Sequence, residues 1–212
     1  MPADKRSAWS YAEGFHSDDE TMLAARERAF ELGIDSVSSS VATALTVLTT
    51  AMAPTHVVEV GTGVGLSSLA MLRGLGPNAA LTTIDPDVEH LRAARETFAE
   101  ARVPLSRIRS IAGRGQDVLP RLTTGAYDLV FIDADPESTD EYVEMSARLL
   151  RPGGVIAVNN ALDGDRVQQP TSRGASTVSA RNAARFLSER EDFVTSLSPL
   201  SEGLLLAAKK RG

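Results

Sequence analysis

The stretch His56–Ser68, HVVEVGTGVGLSS, decides how this chain folds. Val57, Val58 and Val60 form a short β-branched apolar run, Gly61, Gly63 and Gly65 follow as a tight turn, and Leu66 to Leu72 restarts with helical spacing. Strand, glycine turn and helix in that order make a crevice at the carboxyl end of a parallel strand. There the glycines let backbone approach a ligand closely, and the helix start offers unpaired N–H groups. Such a crevice suits a nucleotide-like cofactor.

Spacing separates two cofactors. A dinucleotide fingerprint, Gly-x-Gly-x-x-Gly, counted from Gly61 puts its third glycine at position 66, which is Leu66 in this chain; the glycine stands at Gly65 instead. An NAD-dependent oxidoreductase is therefore disfavoured. Glu59, just before the turn, would repel a pyrophosphate but can help hold the amino-acid end of S-adenosylmethionine, which carries no phosphate. Downstream, LTTIDPD closes a second apolar run on Asp85, roughly twenty residues on, where such folds place an acid for ribose hydroxyls.

Working outward, the chain has 212 residues, 42% of them hydrophobic, which is enough for one substantial core and predicts a single domain over 1–212. A net charge of −6 without a long basic run points to a small-molecule substrate rather than nucleic acid. Cysteine is absent, which excludes disulfides and thiolate metal sites and fits a cytoplasmic location. The polar start MPADKRSAWS does not read as a signal peptide, and no apolar run reaches membrane-spanning length.

Residues 1–15 read as a flexible arm. Its aromatics Trp9, Tyr11 and Phe15 read as a patch on the domain's own surface, with a pocket cap or a partner contact as alternatives. Two N-terminal helices occupy 16–52: His16 to Leu32, with Ser17 as N-cap, and about Ser38 to Met52. The core, 56–212, alternates strands (His56–Val60, Leu81–Ile84, Ile108–Ala112, Asp128–Ile132, Val155–Val158) with helices (from Leu66, Val88–Ala101, Gln116–Leu122, Thr139–Leu150, Ala175–Arg190). Such alternation predicts an α/β fold, a mostly parallel sheet with helices on both faces. Phe193–Leu197 and Leu204–Ala208, separated by SPLSEG, predict an antiparallel hairpin.

Five segments in order, EVGTGVGLSS, TTIDPD, GRGQDVLP, YDLVFIDAD and LLRPGGVIAVNN, resemble the successive motifs of the catechol and caffeoyl-CoA type O-methyltransferases. The resemblance implies a Rossmann-like class I methyltransferase with a seven-stranded sheet ending in that hairpin, S-adenosylmethionine as cofactor, a small-molecule acceptor and a homodimer. By position it assigns Val37, Glu59, Gly61, Gly63, Gly65, Ser67, Asp85, Gly113, Gln116 and Asp133 to the cofactor, with Ser38 as a further neighbour. Asp133 and Asn160 match two ligands of the family's divalent ion, a Mg²⁺-like cation that orients adjacent hydroxyls and lowers a hydroxyl pKa. Asp133 is the candidate catalytic residue.

The chain departs from the family in three places. Asn159 stands where the family has a metal-binding Asp, which removes one formal negative charge, so a divalent ion binds weakly or not at all unless Asp135, Asp163 or Asp165 joins it. Pro136 stands where the family has a Lys named as general base, and His16, His56 and His90 lie outside that motif, which leaves the metal, Asp135, Glu137 or an already acidic substrate. Asp163 and Asp165 replace an aromatic wall and read as a solvated loop, or else as a pocket for a polar or cationic acceptor. Arg92 and Arg95 read as a solvated helix face, with the alternative that together with Arg107 and Arg109 they meet a phosphorylated carrier such as coenzyme A. The expected function is O-methyl transfer to a small-molecule hydroxyl. Its rivals are a metal-independent methyltransferase on another acceptor and a non-catalytic S-adenosylmethionine-binding homologue.

Overall fold

A computed structural model describes residues 3–212, with side chains from residue 7 onward. Seven strands form one sheet in the order β3-β2-β1-β4-β5-β7-β6. β1 (His56–Val60), β2 (Ala80–Asp85), β3 (Ile108–Ala112), β4 (Tyr127–Ile132) and β5 (Leu150–Val158) run parallel, while β6 (Phe193–Ser198) and β7 (Leu204–Lys209) pair antiparallel. From β1 the chain winds outward through β2 and β3, then returns to β4 on the other side of β1. That reversal opens a crevice at the carboxyl ends of β1 and β4, the position at which open α/β sheets hold ligands.

The strands are apolar because both faces are covered. Val57, Leu81, Leu129, Phe131 and Ala157 pack under α2 (Glu20–Glu31), α3 (Ser39–Met52), α4 (Leu66–Gly74) and α5 (Val88–Glu100). Val58, Val60, Val130, Ile132 and Ile156 pack under α7 (Thr139–Leu149) and α8 (Ala175–Ser188). Among the described residues no helix is long and apolar enough to cross a membrane.

Four local expectations change. Ala3–Glu13 forms helix α1 where an arm without regular structure was expected. Tyr11 is 71% and Phe15 62% exposed, touching each other and His16, so they are not buried against the domain. Helix α2 is capped by Asp19, whose carboxylate accepts the Met22 N–H at 3.0 Å, rather than by Ser17. The deeper acid meets the first turn's free donors and its dipole. RPGG lies inside β5, which starts at Leu150 and absorbs the extra residues as a register shift opposite Tyr127 and Leu129.

The base of the sheet is tied by Asp128, 3% exposed, which accepts the N–H groups of Thr55 (2.7 Å) and His56 (2.8 Å), the Thr55 hydroxyl and Arg151. Burial alone would raise its pKa, but these donors outweigh it and hold the carboxyl below its ordinary range. Asp128→Asn is expected to cost about 1–2 kcal/mol at neutral pH. Because the folded pKa is depressed, the difference should shrink as pH falls through the carboxylate range, which urea unfolding at neutral and acidic pH measures.

Candidate functional site

The crevice is a cavity of about 970 Å³ running across the carboxyl ends of β2, β1, β4 and β5. Its central wall is the glycine turn. Gly61 has φ +94°, and a Cβ there would stand 1.9 Å from the Asp133 carbonyl oxygen, so only glycine lets β1 pass this close to the end of β4. Gly65, the N-cap of α4, adopts φ +83° and packs against the Phe98 ring behind the wall. It gives α4 no side-chain cap, so the first-turn N–H groups, beside Leu66 and Ser67 on the wall, remain available to an anion.

Asp85, 4% exposed, sits at the β2 end of the cavity. One oxygen accepts the N–H groups of Thr62 and Gly63, each at 3.0 Å, and the other accepts the Asp87 N–H at 2.9 Å. His90 Nδ1 lies 3.2 Å from that second oxygen. Asp85 therefore fixes the shape of the glycine turn, and the acceptor position facing His90 is the one that a ligand hydroxyl can take over.

Glu59 is fully buried and does not line the cavity. Its carboxyl accepts the hydroxyls of Ser67 (2.6 Å), Ser68 and Thr83 (2.6 Å). Burial raises its pKa to about 7; the three hydroxyls pull the other way, and the charge of Asp133 adds to the rise. Glu59 thus orients Ser67 from behind the wall instead of meeting a ligand.

Of the remaining sequence candidates, Val37, Gly63, Asp133, Asn159 and Asn160 line the cavity, and so do Asp135, Glu137 and Asp163. Gly113 and Gln116 do not line it: Gly113 donates its N–H to the Asp85 carbonyl, Gln116 accepts from the Tyr142 hydroxyl, and the two residues between them in the chain, Arg114 and Gly115, form the wall. Ser38 caps α3 and borders a smaller adjoining cavity. Asp163 is no solvated acid. It is 7% exposed; Arg166 above all pulls its pKa down, burial opposes this, and Thr177 and Ser176 add to the pull, so the carboxyl stays below the usual range. Asp165 is exposed and off the wall, and so are Arg92 and Arg109; Arg107 donates to backbone carbonyls around Gly76. Asp35, His90, Arg114 and Tyr142, which sequence reasoning did not assign to the cavity, line it. The signal for His90 was its place in the first turn of α5, facing back to the end of β2.

Asp133 lies at the cavity floor, held by its backbone N–H to the Val60 carbonyl at 2.8 Å. Burial raises its pKa to about 6; the Asn159 Nδ2–H, donated to Oδ1 at 2.9 Å, opposes this, and the nearby charge of Asp35 adds to it. As arranged, Asp133, Asn159 and Asn160 do not fit a resident divalent ion. They supply one carboxylate, and Asn159 directs an N–H, not an oxygen, at that carboxylate. Among the described residues no three His, Cys, Asp or Glu side chains gather to hold a metal.

Fold and cavity together define a Rossmann-like α/β protein whose cleft offers free backbone donors at the start of α4 and a buried acid, Asp85, at the end of β2. A family model described as O-methyltransferase matches residues 17–210. A Mycobacterium tuberculosis protein named "Probable O-methyltransferase" is 45% identical over 98% of this chain and 93% of its own length. Among solved structures, a Corynebacterium glutamicum protein aligns with TM-score 0.90 at 30% identity over 99% of this chain and 98% of that one. The O-methyltransferase TomG of Streptomyces achromogenes, involved in tomaymycin synthesis and solved with S-adenosylmethionine, aligns with TM-score 0.86 at 27% identity over all of both chains. The chain belongs to the O-methyltransferase family and is a methyltransferase enzyme.

Proposed function

We propose that this chain transfers the methyl group of S-adenosylmethionine to a hydroxyl of a small molecule, with Asp133 as general base and no resident divalent ion. The observation that carries this reading is Asp133 itself: a recessed carboxylate on the floor of the cavity, with one oxygen held by Asn159 and the other left for a proton. S-adenosylmethionine, when bound, supplies an electrophilic methyl on a sulfonium. In this reading the free N–H groups of the first turn of α4, that of Ser67 among them, donate to its carboxylate, and Asp85 accepts from a ribose hydroxyl.

The chemistry asked of the chain is modest. The acceptor oxygen forms the new C–O bond as the C–S bond breaks, and its proton passes to Asp133. A carboxylate raised to about 6 is a stronger base than an ordinary one yet is still mostly ionised at neutral pH. Pro136 carries no base, and the neighbouring Asp135 accepts a hydrogen bond from Tyr142, whose phenol is pushed above its ordinary pKa by burial and then by Asp135. Of the other acids on the wall, Asp35 and Glu137 are exposed and Asp163 is paired with Arg166, which leaves Asp133, recessed at the floor, as the acid best placed to act.

Calorimetric titration with S-adenosylmethionine tests the donor half. Wild type is expected to bind, and Asp85→Ala to bind about tenfold more weakly or worse, since it loses a ribose acceptor and the ties to Thr62 and Gly63. Absence of wild-type binding would refute the reading.

A further inference from the structure

A second cavity of about 200 Å³ opens off the main one and shares Asp35, Asp133, Asn159 and Asn160 with it, closing on Ser201 and Glu202. Among the described residues no Lys or Arg lines it. In the main cavity the basic residues are Arg114 and His90, on the side of β2 and β3, away from Asn159. The cations closest by are already paired: Arg26, which bonds Ser36 and the Val37 carbonyl at the edge of the cavities, is held by Asp18, Arg28 by Glu100 and Arg166 by Asp163.

Asn159 adds an independent observation. Its Oδ1 is buried and has no hydrogen-bond partner, while its Nδ2 is committed to Asp133. Exchanging the two ends of the amide would set an oxygen against the Asp133 carboxylate, so repulsion fixes the orientation. A buried acceptor without a donor is costly unless a ligand supplies one. Asp35 lines both cavities together with Asn159. Tyr142 lines the main cavity, but among the described residues the smaller one has no Phe, Tyr or Trp in its lining, so a group held there is selected by charge more than by stacking.

We propose that the acceptor is cationic: a hydroxyl compound bearing a protonated amine, whose N–H groups are taken by the Asn159 carbonyl and the Asp35 carboxylate, with Glu202 behind them. This rests on the methyl-transfer reading above. It locates the charge selection at Asp35 and Asn159 rather than at Asp163, which is neutralised by Arg166. Polyanionic acceptors, such as carrier thioesters, meet carboxylates here instead of the cations they need.

The test is calorimetric titration of the protein loaded with S-adenosylhomocysteine, using three catechols that differ only in their side chain: dopamine, its neutral ethyl analogue and its carboxyethyl analogue. Dopamine is expected to bind at least about tenfold more tightly than the ethyl compound, and the carboxyethyl compound most weakly, with the preference shrinking in high salt. Asp35→Asn should bring dopamine and the ethyl compound to within about threefold of each other, and Glu202→Gln should narrow the gap in part. Asp35 lies on an exposed loop, so its variant keeps the fold. Failure of dopamine to outbind the ethyl analogue, or a preference untouched in Asp35→Asn, overturns the inference. A separate wild-type turnover assay judges the methyl-transfer reading: the dopamine preference without methylated product would refute that reading and leave the cation site standing.

Discussion

Asp133→Asn is expected to lower methyl transfer about 10²–10⁴-fold, the range usual for loss of a general base, while donor affinity stays within about threefold. The substitution keeps the side chain's size and its place beside Asn159, and removes only the oxygen able to accept a proton. In the wild type the rate should climb with pH through about 6, as the buried carboxylate ionises, and then level off. The variant should lack that limb. Chelator should leave the wild-type rate within about twofold, because the donor set offers one carboxylate where the divalent sites of oxygen-ligand enzymes collect several. Single-turnover rates with and without chelator, across pH, check all three results together. A chelator-abolished rate restored by Mg²⁺ would return the mechanism to the ion.

The sheet was legible because β1 is a short apolar run ended by a glycine and β2 and β4 are short runs ended by an acid, and because the glycine turn fixed where the crevice lies. β5 was cut short in the sequence reading because RPGG looks like a turn, and only pairing with β4 shows that its residues are carried in the strand as a register shift. Asp85 and Asp133 were legible since each ends a strand at the crevice. Asp163 was not, because the partners that bury it, Arg166 and Thr177, come from the following loop and α8. Asp35 and Glu202 lie 167 positions apart, the difference of their numbers, and meet at one small cavity only because β7 pairs beside β5. No spacing rule within the chain carries that. Glu59 was read as a ligand because its position suits one; its direction, away from the cavity and toward Ser67, Ser68 and Thr83, is set by strand alternation.

Glu59 also sets the largest stability effect expected here. Its pKa rises from 4.5 to about 7 on folding, mainly because burial disfavours the charge. The sign is the reverse of the usual salt-bridged acid. Below 4.5 folded and unfolded chains both hold the proton and nothing is lost. Between 4.5 and about 7 the folded chain keeps a proton that the unfolded chain has released, so stability falls as pH rises. Above that window the loss is complete, on the order of 3 kcal/mol. Glu59→Gln does not titrate, and its amide can donate to hydroxyls that also accept, so the ties to Ser67, Ser68 and Thr83 can persist with donors and acceptors exchanged. Relative to the wild type, the variant should therefore gain about 3 kcal/mol between pH 4.5 and 8. Part of the gain comes through Asp133, whose charge and that of Glu59 disfavour each other. Urea unfolding of both proteins across this range measures the difference directly, and parallel curves would show that Glu59 stays ionised in the fold. Because Ser67 faces the cavity and bonds to Glu59, donor affinity should also change across the same window in the wild type and remain flat in the variant.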